Sequence, residues 1–339
     1  MTTNPIDGFH VNADDIRYIG HDLQRPECIL AERDGTLWSA DARGGVVKIS
    51  PDGSQKIITQ NYSKAFATDS DNRHGMDNFL SGTLPNGMAF AANGDIIISN
   101  FGTDVLEIMT RQGQTQVLYD AIDGKPIGKV NFVIRDSRNR IWLTISTRLS
   151  DWTKAISPNI VDGYIALVDG DDIRIVADGF HFTNEIRLDA KEEWLYIAET
   201  CGRRVSRMRV HPDGSLTDRE VFGPSSTGFL VDGIAFDAYG NLWGTHIMRD
   251  QIFAITPEGE LHILLDDDVP GPSRKLERAF EKDEVTQDLM LACGGNIAKW
   301  MASITFGGPD LKTVYIGSLA GTRIPYFQSP IAGLPLLHW

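Results

Sequence analysis

Residues 232–243 read DGIAFDAYGNLW: a carboxylate, an apolar strand, a Gly/Asn turn and a second strand anchored on Trp243. The same grammar recurs at 27–38 (ECILAERDGTLW), 86–97 (NGMAFAANGDII), 131–142 (NFVIRDSRNRIW), 184–196 (NEIRLDAKEEWLY) and 303–315 (SITFGGPDLKTVY). The leading polar residue precedes its Trp, Ile or Tyr anchor by 11 residues in four copies and by 12 in two, where one more turn residue fits the hairpin. The anchors Trp38, Ile97, Trp142, Tyr196, Trp243 and Tyr315 are 59, 45, 54, 47 and 72 residues apart. Helix periodicity is largely missing between them. In its place stand short β-branched or alternating runs, such as IIIS at 96–99, YIALV at 164–168 and QIFAI at 251–255, bounded by PDG, RQG and PEG turns. Six units with room for four strands each predict an all-β fold: a six-bladed β-propeller with four-stranded blades around a central channel. A two-sheet sandwich would not hold one register through six copies.

The chain of 339 residues carries 32 Lys+Arg against 46 Asp+Glu, a net charge of −14, with 42 % hydrophobic residues. That composition is globular and excludes a disordered, collagen-like or coiled-coil chain. The acidic balance argues against nucleic acid and anionic membranes as partners, because neither rewards a surface that repels phosphate. Three scattered cysteines, Cys28, Cys201 and Cys293, make no disulfide framework and no CxxC metal knuckle. MTTNPIDGFHVNADD lacks the basic flank and apolar run of a signal peptide, and no stretch has membrane-span length, so a cytoplasmic protein is expected. One propeller domain, 1–339, is expected, with longer insertions near 60–84 and 266–300. In the second, Leu276, Phe280, Val285 and Leu289 fit one side of a short helix. Either insertion suits a cap over the channel or inert decoration. The apolar tail IPYFQSPIAGLPLLHW is expected to pack into the last blade.

Equivalent residues on innermost strands form a ring around a propeller axis. Here the ring is Glu27, Asn86, Asn131, Asn184, Asp232 and Ser303, all polar and each just before an apolar strand. Two carboxylates brought together repel unless a cation sits between them. Glu27 and Asp232 supply that charge, and Asn131 and Asn184 add carbonyl dipoles. This is a hard-oxygen set for one divalent cation, Ca²⁺ first, with Mg²⁺, Mn²⁺ or Zn²⁺ as alternatives. The absence of His and Cys from the ring lowers the case for dedicated zinc. Four protein ligands leave room for water or substrate. Asn86 and Ser303, and Asn100 after IIIS, are candidates to hydrogen-bond a substrate. His74, His181 and His246 could each shuttle protons, but a lone histidine is more often packed or solvated. No GxSxG, HExxH or Walker motif is present. Residues 69–75 resemble a calcium loop only loosely, without its sixth-position Gly or twelfth-position acid.

The blade openings RPECILAERDGTLWSAD, KVNFVIRDSRNRIWLTIST, FTNEIRLDAKEEWLYIAET and LVDGIAFDAYGNLWGTH, with the late FGGPDLKTVYIGSL, resemble the senescence-marker-protein/gluconolactonase/luciferin-regenerating-enzyme family over roughly residues 20–325. The resemblance implies a six-bladed propeller with one axial divalent metal and members that are sugar lactonases. It carries the metal ligands over to Glu27, Asn131, Asn184 and Asp232, and a proposed base role to Asp232. The chain departs from the pattern at Phe132, where many lactonases have Asp, at Lys129, where Arg is frequent, and at Glu185, where many have Gly. A less hydroxylated or more apolar lactone or ester suits Phe132 as a substrate wall.

The expected function is therefore metal-dependent hydrolysis of a small lactone or ester. The metal polarises the carbonyl, Asp232 or Glu27 takes the proton of water, and Lys129 steadies the oxyanion or orients a substrate carboxylate. Alternatives from other classes are a phosphotriesterase-like hydrolase on the same shell, a strictosidine-synthase-like condensing propeller, and a non-catalytic ligand-binding propeller.

Overall fold

The computed structural model describes residues 3–62 and 82–339. His74 and the loop at 69–75 lie outside them. Six antiparallel sheets follow one another along the chain as the blades of a six-bladed propeller. Their innermost strands are Ile29–Ala31, Pro85–Phe90, Val130–Arg135, Thr183–Leu188, Val231–Phe236 and Met301–Gly307. Blade six takes its outer strand, Arg17–Ile19, from the start of the chain, and this pairs antiparallel with Ile324–Gln328. Closure thus joins the two ends of the described sequence. Blade two carries an additional short edge strand, Asn61–Tyr62, parallel to Gln114–Tyr119.

The repeated anchors explain why each hairpin forms. Trp38, Trp142 and Trp243 are buried in the second strands of their blades. Each indole Nε1 donates to the carboxylate six residues earlier: to Glu32 at 2.7 Å, Asp136 at 2.9 Å and Asp237 at 2.9 Å. Asp136 and Asp237 also accept backbone N–H groups of their own turns. One carboxylate thereby sets the turn and orients the Trp, whose burial contributes roughly 2–3 kcal/mol.

Insertion 266–300 folds into two helices, α1 (Pro270–Glu281) and α2 (Gln287–Leu291). The single stripe expected from Leu276 to Leu289 is divided between them. The backbone turns at Asp283, φ 59°, so Val285 falls in the link and Leu289 starts a new axis. Leu276, Phe280 and Met290 pack with Phe101, Phe182 and Trp300 at one end of the channel. The C-terminal tail reaches beyond the last blade. Leu334 N–H donates to Phe236 O of blade five, and His338 Nε2 lies 2.9 Å from Ala31 O of blade one. Among the described residues no helix is long and apolar enough to cross a membrane.

Candidate metal centre

The ring residues are aimed by an irregularity that recurs in five blades. On the innermost strand the pairing skips from Pro85 to Met88, Val130 to Phe132, Thr183 to Ile186, Val231 to Ile234 and Met301 to Ile304, each time with one more residue than its partner strand. Each β-bulge contains a ring residue: Asn86, Asn131, Asn184, Asp232 or Ser303. A bulge releases a residue from the strict in–out alternation of a strand and re-aims its side chain. In blade one the paired strand begins only at Ile29, and Glu27 precedes it.

Hydroxyls lock the backbone across four blade boundaries, three from second strands and one, Ser303, from an innermost strand. Ser99 Oγ donates to Asn131 O at 2.8 Å, Thr144 Oγ1 to Asn184 O at 2.7 Å, Thr245 Oγ1 to Ala302 O at 2.7 Å, and Ser303 Oγ to Glu27 O. At these four boundaries one blade fixes the backbone at or beside its neighbour's ring residue. Gly233 leaves the room this requires: a Cβ there would lie 2.3 Å from Ala302 O.

Glu27, Asn86, Asn131, Asn184 and Asp232 come together at the floor of one axial cavity of about 520 Å³, open mouth included. All five are buried. Asn131 Oδ1 and Asn184 Oδ1 have no hydrogen-bond partner. Asn184 Nδ2 donates to Thr200 Oγ1 at 3.1 Å, which fixes its amide orientation. Glu27 Oε2 pairs with Arg25 Nη1 at 2.6 Å but accepts no aligned hydrogen bond. Buried carbonyl and carboxylate oxygens left this way cost stability unless something positive meets them. The donor set, two carboxylates and two carboxamides, fits a hard divalent cation. Among the described residues no cluster of three or more His, Cys, Asp or Glu is placed to hold a metal.

Three buried carboxylates share this part of the axis. Burial pushes Glu27 up to about 7 against the pull of Arg25. Burial likewise pushes Glu185 up to about 7, opposed by Arg187. Asp232 is raised well above the usual carboxylate range by burial, then by Glu27 and Glu185. Two guanidiniums face three carboxylates, so a proton or a cation must meet the third charge.

Arg25 and the Glu185–Arg187 pair were not singled out as site residues from sequence. Arg25 sits in the left-handed region, φ 55°, donates to Asn86 Oδ1 at 2.8 Å and leaves Nε without a partner. Its position two residues before Glu27 was the available signal. Arg187 binds Glu185 at 2.8 Å and covers the Phe132 ring at 4.5 Å.

The other sequence candidates lie elsewhere. Phe132 packs in the core beside Trp142 and lines a separate cavity toward the opposite end of the axis, with Arg187, Leu336 and His338. It does not line the cavity above Asp232. Asn100 is committed within blade two, accepting from Leu84 N–H and donating to Thr83 and Glu107. Ser303 spends its hydroxyl on Glu27 O. Lys129 pairs with Asp104 at 2.9 Å and lies over the Phe101 ring, behind the cavity wall. His181 meets Glu199 at 3.4 Å. His246 is buried against Phe253, and burial pushes it down to about 4.

Comparison with known proteins bears on the family and the fold. The profile of the SMP-30/gluconolactonase/LRE-like region matches residues 27–270. Rat serum paraoxonase/arylesterase 1 is 36 % identical over 85 residues, 24 % of this chain and 23 % of that protein. A 6-deoxy-6-sulfogluconolactonase from Pseudomonas putida is 22 % identical over 152 residues, 44 % of this chain and 42 % of its own. The matches therefore span less than half of these relatives' length. Among solved structures, a gluconolactonase from Xanthomonas campestris superposes with a TM-score of 0.63 at 17 % identity over 94 % of both chains. The calcium-binding protein regucalcin from Agrobacterium tumefaciens superposes at 0.66 and 13 % identity, over 94 % of this chain and 96 % of its own. At these identities the likeness shows the fold.

Proposed function

The chain belongs to the SMP-30/gluconolactonase/LRE-like family, and we propose that it is a divalent-metal-dependent lactonase that opens a small lactone ring with water. The observation that carries this is the pair of partnerless amide oxygens, Asn131 Oδ1 and Asn184 Oδ1, on one cavity floor with two buried carboxylates. Glu27, Asn131, Asn184 and Asp232 are the residues to hold the ion, Ca²⁺ first, with Mg²⁺, Mn²⁺ or Zn²⁺ as substitutes. When bound, such an ion supplies a Lewis acid for the ester carbonyl and lowers the pKa of water.

The chain's own groups supply the rest. Asp232, buried on the cavity floor, takes the proton from the attacking water. Arg25 donates its free Nε–H to the ester oxygen and then to the product carboxylate. Asn86 holds Arg25 in place by accepting at 2.8 Å while donating to Asn131 O at 3.0 Å. The aromatic and aliphatic side chains that line the cavity above the floor, Phe101, Phe182 and Trp300 among them, lower the local dielectric and so strengthen the charge interactions beneath them. Water adds to the carbonyl, the ring C–O bond breaks, and the alkoxide leaving oxygen recovers a proton to give a hydroxy acid. The three free, buried cysteines suit a reducing cytoplasm.

The test is calorimetric titration of chelator-stripped protein with each ion, followed by a lactone panel. One Ca²⁺ per chain and hydrolysis that requires it are expected. Asp232→Ala should lose the ion and at least about 1,000-fold in kcat/KM. Full activity in chelator, or unchanged Ca²⁺ binding in Asp232→Ala, would overturn the assignment.

A further inference from the structure

We infer that the substrate is an apolar lactone or ester, an alkyl- or aryl-substituted ring, and not a polyhydroxylated sugar lactone; this rests on the lactonase reading of the same cavity. Above the floor, the walls that the described residues form are aromatic and aliphatic. Phe101, Trp152, Ile156, Phe182, Met248 and Trp300 line the space, and the remaining wall residues are also aliphatic. Among the described residues, several of the polar side chains that border it engage one another. Asn86 accepts from Arg25 and donates to Asn131 O, and Thr200 Oγ1 accepts from Asn184 Nδ2. Arg25 Nε, the Asn131 amide and the ligand oxygens remain, and the residues that carry them belong to the floor, where the reacting ester must sit.

A sugar lactone seated by its carbonyl would point several hydroxyls at these walls. Each buried hydroxyl without a partner forfeits its hydrogen bonds to water, so the walls select against it. An alkyl chain or an aromatic ring in the same place exchanges water for close carbon contact. The roof is no product of the repeat. Trp152 and Ile156 come from the loop after blade three's second strand, and Trp300 follows the two-helix insertion. Phe132, the residue that suggested an apolar substrate in the sequence, has no part in this, because it faces the other cavity.

The test compares kcat/KM of the full-length, Ca²⁺-loaded protein for γ-butyrolactone, γ-hexalactone, γ-nonalactone and D-glucono-δ-lactone. Specificity is expected to climb along the alkyl series by up to about fourfold per buried methylene. γ-Nonalactone should exceed the sugar lactone by at least about 100-fold. A flat series, or a sugar lactone turned over as well as γ-nonalactone, overturns the inference and leaves the lactonase intact. If no lactone is opened, binding of the unreactive γ-nonalactam is measured against that of gluconolactam. Tighter binding of the alkyl lactam upholds the apolar cavity while the hydrolase falls, and equal or absent binding overturns both. Trp152→Gln separates wall from fold: it should cost γ-nonalactone about tenfold more than γ-butyrolactone, mostly in KM. An equal loss on both substrates would count against a wall role.

Discussion

The floor and the roof of the axial cavity face each other across a few side chains, yet they are built by different rules. The floor is repetitive: a bulge in five of six innermost strands presents a polar side chain, and hydroxyls of neighbouring blades hold that backbone still. The roof is irregular: residues of the loop between blade three's second and third strands and the helices α1 and α2 bring together aromatic and aliphatic side chains with no common register. A floor assembled from equivalent positions fixes the chemistry. A roof assembled from insertions sets which molecules reach it. Fold and reaction can therefore persist while the substrate changes.

If the floor is a rigid, shared construction, disturbing one blade should disturb its neighbour. Gly233→Ala would force a Cβ to 2.3 Å from Ala302 O, across the boundary between blades five and six. A loss of about 3 kcal/mol in denaturant unfolding is expected, with at least a tenfold weaker Ca²⁺ titration. Blade two has the same requirement at Gly87, where a Cβ would lie 2.6 Å from Phe132 Cα, whereas blade four carries Glu185 in the equivalent place, buried and accepting from Ile234 N–H at 3.2 Å.

The junction between floor and roof should be sensitive to acid. His246 ends a blade-five strand, and the wall residues Ile247 and Met248 follow it. Burial holds its pKa at about 4, below the unfolded value near 6.5, so the folded state keeps it neutral. Its contribution is complete above pH 6.5 and is lost as pH falls toward 4, about 3 kcal/mol in all. Unfolding free energies at pH 7 and pH 4.5 should show this drop, and His246→Gln should flatten it. An unchanged slope in that variant would remove His246 as the cause.

Loosening the roof alone should spare the floor. Leu276 is buried on α1 against the roof cluster, and Leu276→Ala should cost about 2 kcal/mol, the low end for a core Leu because the insertion is peripheral. KM for γ-nonalactone should rise about fivefold while Ca²⁺ affinity stays within twofold. A parallel fall in Ca²⁺ affinity would mean that the two regions are not separable. The smallest effect is expected at Phe132. Because it lines the opposite cavity, Phe132→Leu should leave the ratio of γ-nonalactone to sugar-lactone turnover within twofold. A larger change would return it to the substrate wall.

The repeat made the six blades and the convergence of Glu27, Asn86, Asn131, Asn184 and Asp232 legible, because equivalent register places residues at equivalent radius. The same logic misplaced what does not follow the ring. Phe132 is one residue past Asn131, and the bulge there sends the two side chains to different cavities. Asn100 and Ser303 are polar and close in register, yet their side chains are spent on neighbouring backbone and side-chain groups. Arg25 was missed because it enters through a left-handed residue before the strand begins, where periodicity has nothing to say.

The amino-acid sequence by itself determined the number of blades, the hairpin anchors and the axial set of oxygen-bearing residues, since all of these follow from short-range pattern repeated at fixed offsets. Only the tertiary structure decided which of those oxygens lack partners, which guanidiniums offset the buried carboxylates, and that the described residues above them line the cavity with aromatic and aliphatic side chains. Those properties depend on contacts between segments far apart in the chain, and no local pattern encodes the distance between them.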